Sequence, residues 1–402
     1  MILIGDYIPG KSKVKLTIEL QNILCNLEGP VLPRLNSFSI RPKAGPNLFS
    51  EVLPKSNNHF VFALANNHIM DYGHAGLIAT QGTLNQNGYK YCGAGKDLTD
   101  ARKPIIVEDS GVKIGIISCC EAQFGVANNS QPGVAEFGPW IYQTICNLCE
   151  TVDTIIVTCH AAVEDSPWPS PYIRELYHSF IDAGATVVHG HHSHVPQGYE
   201  EYGDGLIFYG MGNFAIDPEK WCEYPNGMWS LAAEIDFSSK PLNWRLLTLE
   251  IRHIPGLETI MIEESTKEEE AIHKEYLNLC NIPLSSPKLF EALWHEVALR
   301  TYYHYGAEYM RFSDSQQVSR RAQARLGLSM FKRAILNSSK TSRLHSQNDF
   351  LLWYHMFACE SHRQMLATAL GVLAGEINDL RTEETRRLAD EMMPWSLNEI
   401  LK

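Results

Sequence analysis

Over the first 253 residues, short β-branched and apolar runs alternate with helix-like stretches, and this rhythm constrains the fold more than any other feature. The strand candidates are 2–5, 23–25, 60–64, 114–118, 154–158, 186–188 and 206–209. Two later runs, 230–237 and 244–252, alternate polar and apolar residues as half-buried strands do. Helix candidates fall between them at 73–87, 139–151 and 170–183. Such alternation predicts an α/β domain, a buried sheet with helices on its faces. Past residue 265 the β-rich runs cease and helix formers dominate, at 287–305, 315–336, 349–373 and 382–393. The chain therefore divides into an α/β domain over 1–253 and a helical C-terminal region over 254–402.

The bulk properties exclude several classes. Apolar residues make up 45% of the 402 and charged residues 20%, as in an ordinary globular protein. No apolar run reaches the roughly 18–20 residues of a membrane span. The opening Met1-Ile2-Leu3-Ile4-Gly5-Asp6 reads as a strand rather than a signal peptide, so a cytoplasmic location is expected. A net charge of −12 argues against a nucleic-acid binder, which needs a basic face. Ten scattered cysteines suit reduced core thiols, and Cys146-x-x-Cys149, without a second pair, is read as incidental. The histidines of the tail, among them His355 and His362, are assigned no chemistry.

Chemistry gathers where the proposed strands end. Asp6 follows the first strand, and Asn26 and Glu28 follow the second. Asn66-Asn67-His68 follows the third, with Asp71 three residues on. His160 ends the fifth, with Glu164 four residues later, and Asn213 follows the seventh. The sixth runs into His189-Gly190-His191-His192-Ser193-His194. In an extended chain alternate side chains point the same way, so His192 and His194 can reach one metal or two adjacent ones, while His189 and His191 face away as exposed bystanders. Any one of these endings also has a bland reading, because turns favour Asn, Asp and Gly. Together they offer carboxylate, amide oxygen and imidazole at one edge of an α/β sheet, where ligands bind. That mixture suits Mn, Fe or Zn.

The ordered set resembles the CapA family, the poly-γ-glutamate capsule synthesis proteins of the metallophosphatase-like superfamily. The likeness runs from residue 1 to about 253 through Gly5-Asp6, Asn26-Leu27-Glu28-Gly29-Pro30, Ala65-Asn66-Asn67-His68-Ile69-Met70-Asp71, His160-x-x-x-Glu164, Gly190-His191-His192-Ser193-His194 and Gly210-Met211-Gly212-Asn213-Phe214. The resemblance implies a four-layer α/β/β/α sandwich with the helical region appended. It also implies two divalent cations. One would take Asp6 and His194, the other Asn67, His160 and His192, with Glu28 bridging. His68 would be the general acid, its imidazole pKa near neutrality suiting the task, and Asp71 would orient it. Asn26, Glu164 and Asn213 are the candidate substrate contacts, with a supporting or surface place also open for Glu164 and structural hydrogen bonding equally open for Asn213.

Two positions depart from the pattern. Ile8 stands where many metallophosphatases have a histidine, and Tyr7-Ile8-Pro9-Gly10-Lys11 lacks the usual arginine. The interval from Asp6 to Asn26 leaves little room for a helix. The leading functional expectation is a metal-dependent hydrolase of a phosphoester or related bond. The alternatives are a poly-γ-glutamate biosynthesis component acting on a glutamyl-type substrate, and a non-catalytic binding module. The helical region is expected to recruit a protein partner or a second copy of the chain.

Overall fold

The computed structural model describes residues 1–394 apart from 33–34, 42, 44, 55–58, 218–224, 255–256 and 307–346. The strands in chain order are β1 Ile2–Ile8, β2 Lys13–Leu16, β3 Ile23–Leu27, β4 Phe60–Ala63, β5 Lys90–Cys92, β6 Ala94–Gly95, β7 Ile105–Asp109, β8 Val112–Cys120 and β9 Gly133–Val134. Then follow β10 Thr154–His160, β11 Val187–His191, β12 Tyr199–Tyr202, β13 Gly205–Phe208, β14 Asn213–Ile216, β15 Trp229–Asp236, β16 Asn243–Ile254 and β17 Thr259–Glu264. The helices are α1 Gly73–Gln86, α2 Leu98–Ala101, α3 Trp140–Cys149, α4 Pro171–Asp182, α5 Lys267–Leu284, α6 Pro287–Thr301, α7 Gln347–Ala358, α8 Glu360–Ala374 and α9 Glu383–Met392.

Two large sheets face each other. A nine-stranded sheet runs β2-β17-β16-β15-β1-β3-β4-β5, with β14 also beside β1. A six-stranded sheet runs β12-β13-β11-β10-β8-β7. Period-two alternation sorts their side chains into three apolar layers. Leu3, Leu24, Val61, Ile116, Ile156, Val187 and Phe208 fill the space between the sheets. Ile4, Ile23, Cys25 and Phe62 point outward onto Leu77 and Leu84 of α1. Ile117, Ile155, Val157 and Val188 point the other way, onto Ile141 and Ile145 of α3 and Tyr177 and Phe180 of α4. Helix, sheet, sheet and helix are the four layers expected.

Local chemistry fixes the helix starts. Ser170 caps α4 by accepting from the Ile173 N–H at 3.2 Å, and Pro171 sits at the first helical position, where its missing N–H costs nothing. Thr266 and Glu269 form a reciprocal capping box on α5.

Two sequence readings change. The sheet continues past residue 253, because β17 pairs with both β16 and β2, so the helical region starts at Lys267 with α5. The expected helix over 349–373 is two helices, broken at Cys359. The short Asp6-to-Asn26 interval, with its little room for a helix, holds an edge strand, β2. The candidate helix at 315–336 lies outside the described residues. No helix among the described residues is long and apolar enough to cross a membrane.

Candidate metal centre

The nine-stranded sheet delivers the oxygen donors. Asp6 lies in β1 where the register shifts, opposite Asn26 of β3 on one side and Asn213 of β14 on the other. Such a shift bends a strand and re-aims its side chains. Asp6 is buried; its Oδ1 accepts from Asn26 Nδ2 at 2.8 Å and its Oδ2 has no hydrogen-bond partner. Glu28, just after β3, is fully buried with both carboxylate oxygens unpartnered. Beyond β4, Asn66 shapes the turn that presents Asn67 and His68. Its Oδ1 accepts from the His68 and Ile69 N–H groups, and its Nδ2 donates to Asn26 Oδ1 and the Leu27 carbonyl.

The six-stranded sheet delivers the imidazoles. His160 ends β10 and His191 ends β11, paired in register. His192 and His194 occupy the turn that follows, at φ +87° and +57°. Non-glycine residues rarely adopt this region, and those that do cost about 1–3 kcal/mol each and cluster at functional sites. Gly190 permits the approach, since a Cβ there would lie 2.1 Å from the Tyr209 carbonyl oxygen.

The two sets meet. Glu28 Oε1 lies 3.6 Å from both His160 Nε2 and His194 Nε2. His160 Nε2 is 3.0 Å from Asn67 Oδ1, and its ring centroid is 4.5 Å from that of His192. Ligand atoms of Glu28, His192 and His194 all fall within 4.8 Å of one another. His194 Nδ1 sits 3.8 Å from Asp6 Oδ2 and donates to Asn213 Oδ1 at 3.0 Å. All six expected ligands are thus brought together, with Asp6 near His194, Asn67 near His160, and Glu28 between.

The residues fit a divalent cation. Asp6 Oδ2, both Glu28 oxygens and His192 Nδ1 are buried without hydrogen-bond partners. Each such atom costs about 1–3 kcal/mol if left unsatisfied, and one cation class answers all four. Burial, then the neighbouring Asp6 and Glu164, push the Glu28 carboxyl well above its usual range. Burial also acts to raise Asp6, but His191, His194 and the Asn26 bond outweigh it and hold that carboxyl low. Burial and the surrounding imidazoles keep His160 and His192 well below the ordinary histidine range, hence neutral, the form that binds metals.

Beside this cluster stands His68. Its Nδ1 lies 2.8 Å from Asp71 Oδ2 and 2.7 Å from Lys43 Nζ. Lys43 also pairs with Asp71 Oδ1 at 2.6 Å, and Asp71 Oδ2 accepts from the Leu48 N–H. Burial and Lys43 push the His68 imidazole down to about 4, so the near-neutral pKa expected for it is corrected.

The expected substrate contacts separate. Glu164 is partly exposed, with Oε1 4.0 Å from His192 Nε2, and it alone of the three stands at the mouth. Asn26 is buried and committed to Asp6, His160 and Asn66. Asn213 is buried and committed to His194 and the Gly227 carbonyl. Both lie buried behind the cluster, bonded to candidate ligands. His189 and His191 are corrected too: both are buried, with His189 Nε2 3.0 Å from the Ile4 carbonyl and His191 Nδ1 2.8 Å from Asp6 Oδ1. Sequence reasoning missed Lys43 and Gln123, the latter 2.9 Å from His192 Nε2. It also set aside His355 and His362, whose rings pack 4.4 Å apart and lie close enough to His192 to disfavour its charged form.

A family model described as "Bacterial capsule synthesis protein PGA_cap" matches residues 13–218, just over half of the chain. The chain belongs to the PGA_cap family. Two relatives of this PGA_cap chain are the "Capsule biosynthesis protein CapA" of Bacillus anthracis and the "PGA biosynthesis protein CapA" of Bacillus subtilis (strain 168). The first is 31% identical over 164 residues, covering 39% of this chain and 40% of the relative. The second is 34% identical over 168 residues, covering 40% and 44%. The chain thus spans less than half the length of the curated relatives it matches. Among solved structures, a hypothetical protein from Thermus thermophilus aligns over 62% of this chain and 98% of its own, at 15% identity and TM-score 0.38. A 5'-nucleotidase precursor from the same organism aligns over 56% and 43%, at 15% identity and TM-score 0.29. Likenesses this distant do not bear on the chemistry.

Proposed function

We propose that this PGA_cap chain is a metal-dependent hydrolase that cleaves a phosphoester or related bond, with His68 as proton donor. The observation that carries the reading is Glu28, a buried carboxylate with no protein partner, ringed by His160, His192 and His194. Asp6 and His194 would hold one divalent cation (Mn, Fe or Zn), and Asn67, His160 and His192 a second, with Glu28 shared. When bound, such cations make hydroxide available at neutral pH and offset charge on phosphoryl oxygens. Asn26 and Asn213 fix the donor atoms, and His191 supports the Asp6 carboxylate. Asp71, itself paired with Lys43, accepts from the His68 Nδ1–H, and the imidazolium form that Asp71 supports would carry on Nε2 the proton given to the departing oxygen. Glu164, at the mouth, is the residue of this set placed to touch substrate.

The test loads the 402-residue chain with Mn(II) and screens a phosphoesterase panel with wild type and His68→Ala. Metal-loaded wild type that hydrolyses nothing, or activity indifferent to His68, refutes the reading. A second reading, a poly-γ-glutamate biosynthesis component acting on glutamyl polymer, is favoured by the names of the relatives. Binding of γ-glutamyl oligomers to the full chain would support it. Exposed Tyr354, Phe357, Leu370 and Leu373 on α7 and α8 support docking of a protein partner or a second copy on the helical region.

A further inference from the structure

The helical region meets the metal centre at the junction of α7 and α8. Residues 121–124, directly after β8, run between that junction and His192. The buried Glu121 carboxylate accepts from Ser361 N–H at 2.7 Å, Ser361 Oγ at 2.5 Å and Cys359 Sγ at 2.7 Å. Cys359, the residue before α8, makes no capping bond of its own, so a carboxylate from the sheet serves as the cap. On the other side, the Ala122 N–H donates to Glu360 Oε2 at 3.0 Å. Phe124 stacks on His355, centroids 5.2 Å apart and rings 5° from parallel. Between these anchors Gln123, itself buried, lies 2.9 Å from His192 Nε2 and 3.4 Å from Cys359 Sγ.

The free ring nitrogen decides what Gln123 does. His192 Nδ1 is the buried atom without a protein partner. An imidazole that ligates through Nδ1 carries its proton on Nε2, and a partner accepting that proton fixes both tautomer and ring angle. The Gln123 amide meets this need with its oxygen turned toward Nε2, a half-turn between two ends of nearly equal shape.

We propose that Gln123 is a positioning residue for His192, held in place by the Glu121–Ser361 clamp and the Ala122–Glu360 bond on either side of it, so that the helical region sets the affinity of the metal centre. The inference rests on the proposed reading of His192 as a ligand. It is tested on the full chain, stripped with chelator, by calorimetric titration of Mn(II) and by the visible spectrum with Co(II). Gln123→Leu should weaken Mn(II) binding about 10–100-fold. Gln123→Glu, which keeps the acceptor, should restore it. Ser361→Ala, remote from the cation, should weaken binding by a smaller factor and alter the Co(II) spectrum. Wild-type Mn(II) affinity in Gln123→Leu, alongside loss of binding in His192→Ala, overturns the positioning role and leaves the ligand reading standing. Wild-type affinity in His192→Ala removes the ligand reading and the inference with it. Should Gln123→Leu not fold, an unchanged affinity and Co(II) spectrum in Ser361→Ala overturns the part assigned to the helical region.

Discussion

Glu28→Gln should make the metal-free protein more stable at neutral pH while removing its response to metal. In the metal-free fold, burial and the nearby Asp6 raise the Glu28 carboxyl well above 4.5, its ordinary value. Between 4.5 and that raised value the folded state holds a proton that the unfolded state has lost. The contribution is therefore fully present below about pH 4.5 and is lost as pH rises toward the folded pKa. One proton of difference corresponds to about 1.4 kcal/mol per pH unit. For a domain of this size that is about 3 °C of Tm per unit. Asp6 does not confuse the window, because its lowered carboxyl acts below 3.8, and the histidines are common to both proteins. The assay is the melting temperature of chelator-treated wild type and Glu28→Gln from pH 4.5 to 8. The wild-type curve should fall relative to the variant's as pH rises. Adding Mn(II) at a hundredfold excess over Kd should then stabilise wild type by about 2.7 kcal/mol and the variant by far less. Parallel pH profiles, or equal stabilisation by Mn(II), would refute the reasoning.

Other outcomes follow from the same geometry. His68→Ala should lower kcat by about 10²–10⁴ with Mn(II) binding intact, read by steady-state kinetics beside calorimetry. Lys43→Met should move the His68 titration, followed by NMR of the imidazole protons, upward from about 4, because the cation that disfavours its protonation is gone while Asp71 stays. Asn213→Ala loosens the His194 ring and should weaken Mn(II) binding about 10–100-fold by calorimetry. Thr266→Ala removes the α5 capping box and should cost about 1 kcal/mol in denaturant melts without altering Mn(II) affinity.

The central strands were legible because their apolar runs are uninterrupted, and the ligands because they stand where those runs stop. β2 and β17 were not, since the edge strand Lys13–Leu16 alternates lysine with apolar residues and Thr259–Glu264 runs into Glu263-Glu264, so neither makes an uninterrupted apolar run. The histidine cluster taught a subtler lesson. Alternation in an extended chain singled out His192 and His194, but the strand ends at His191, and both residues have positive φ. They converge through a strained turn, and the same departure leaves His191 buried against Asp6 rather than exposed. Lys43, Gln123 and Glu121 carried no local signal. Their partners lie 25, 69 and 240 residues away in sequence, and only packing brings them together.

The candidate ligands are divided evenly between the two sheets: Asp6, Glu28 and Asn67 come from one, and His160, His192 and His194 from the other. A cation held by both halves is thus a clasp across the seam of the sandwich. Below that seam the layers meet mainly through apolar side chains, with few polar ties such as His189 to the Ile4 carbonyl, and such packing resists separation well but sliding poorly. Occupancy would convert a greasy joint into a pinned one. Amide exchange at the ends of β1, β3, β10 and β11 should slow together when Mn(II) binds, while exchange at the far ends of the same strands stays as it was.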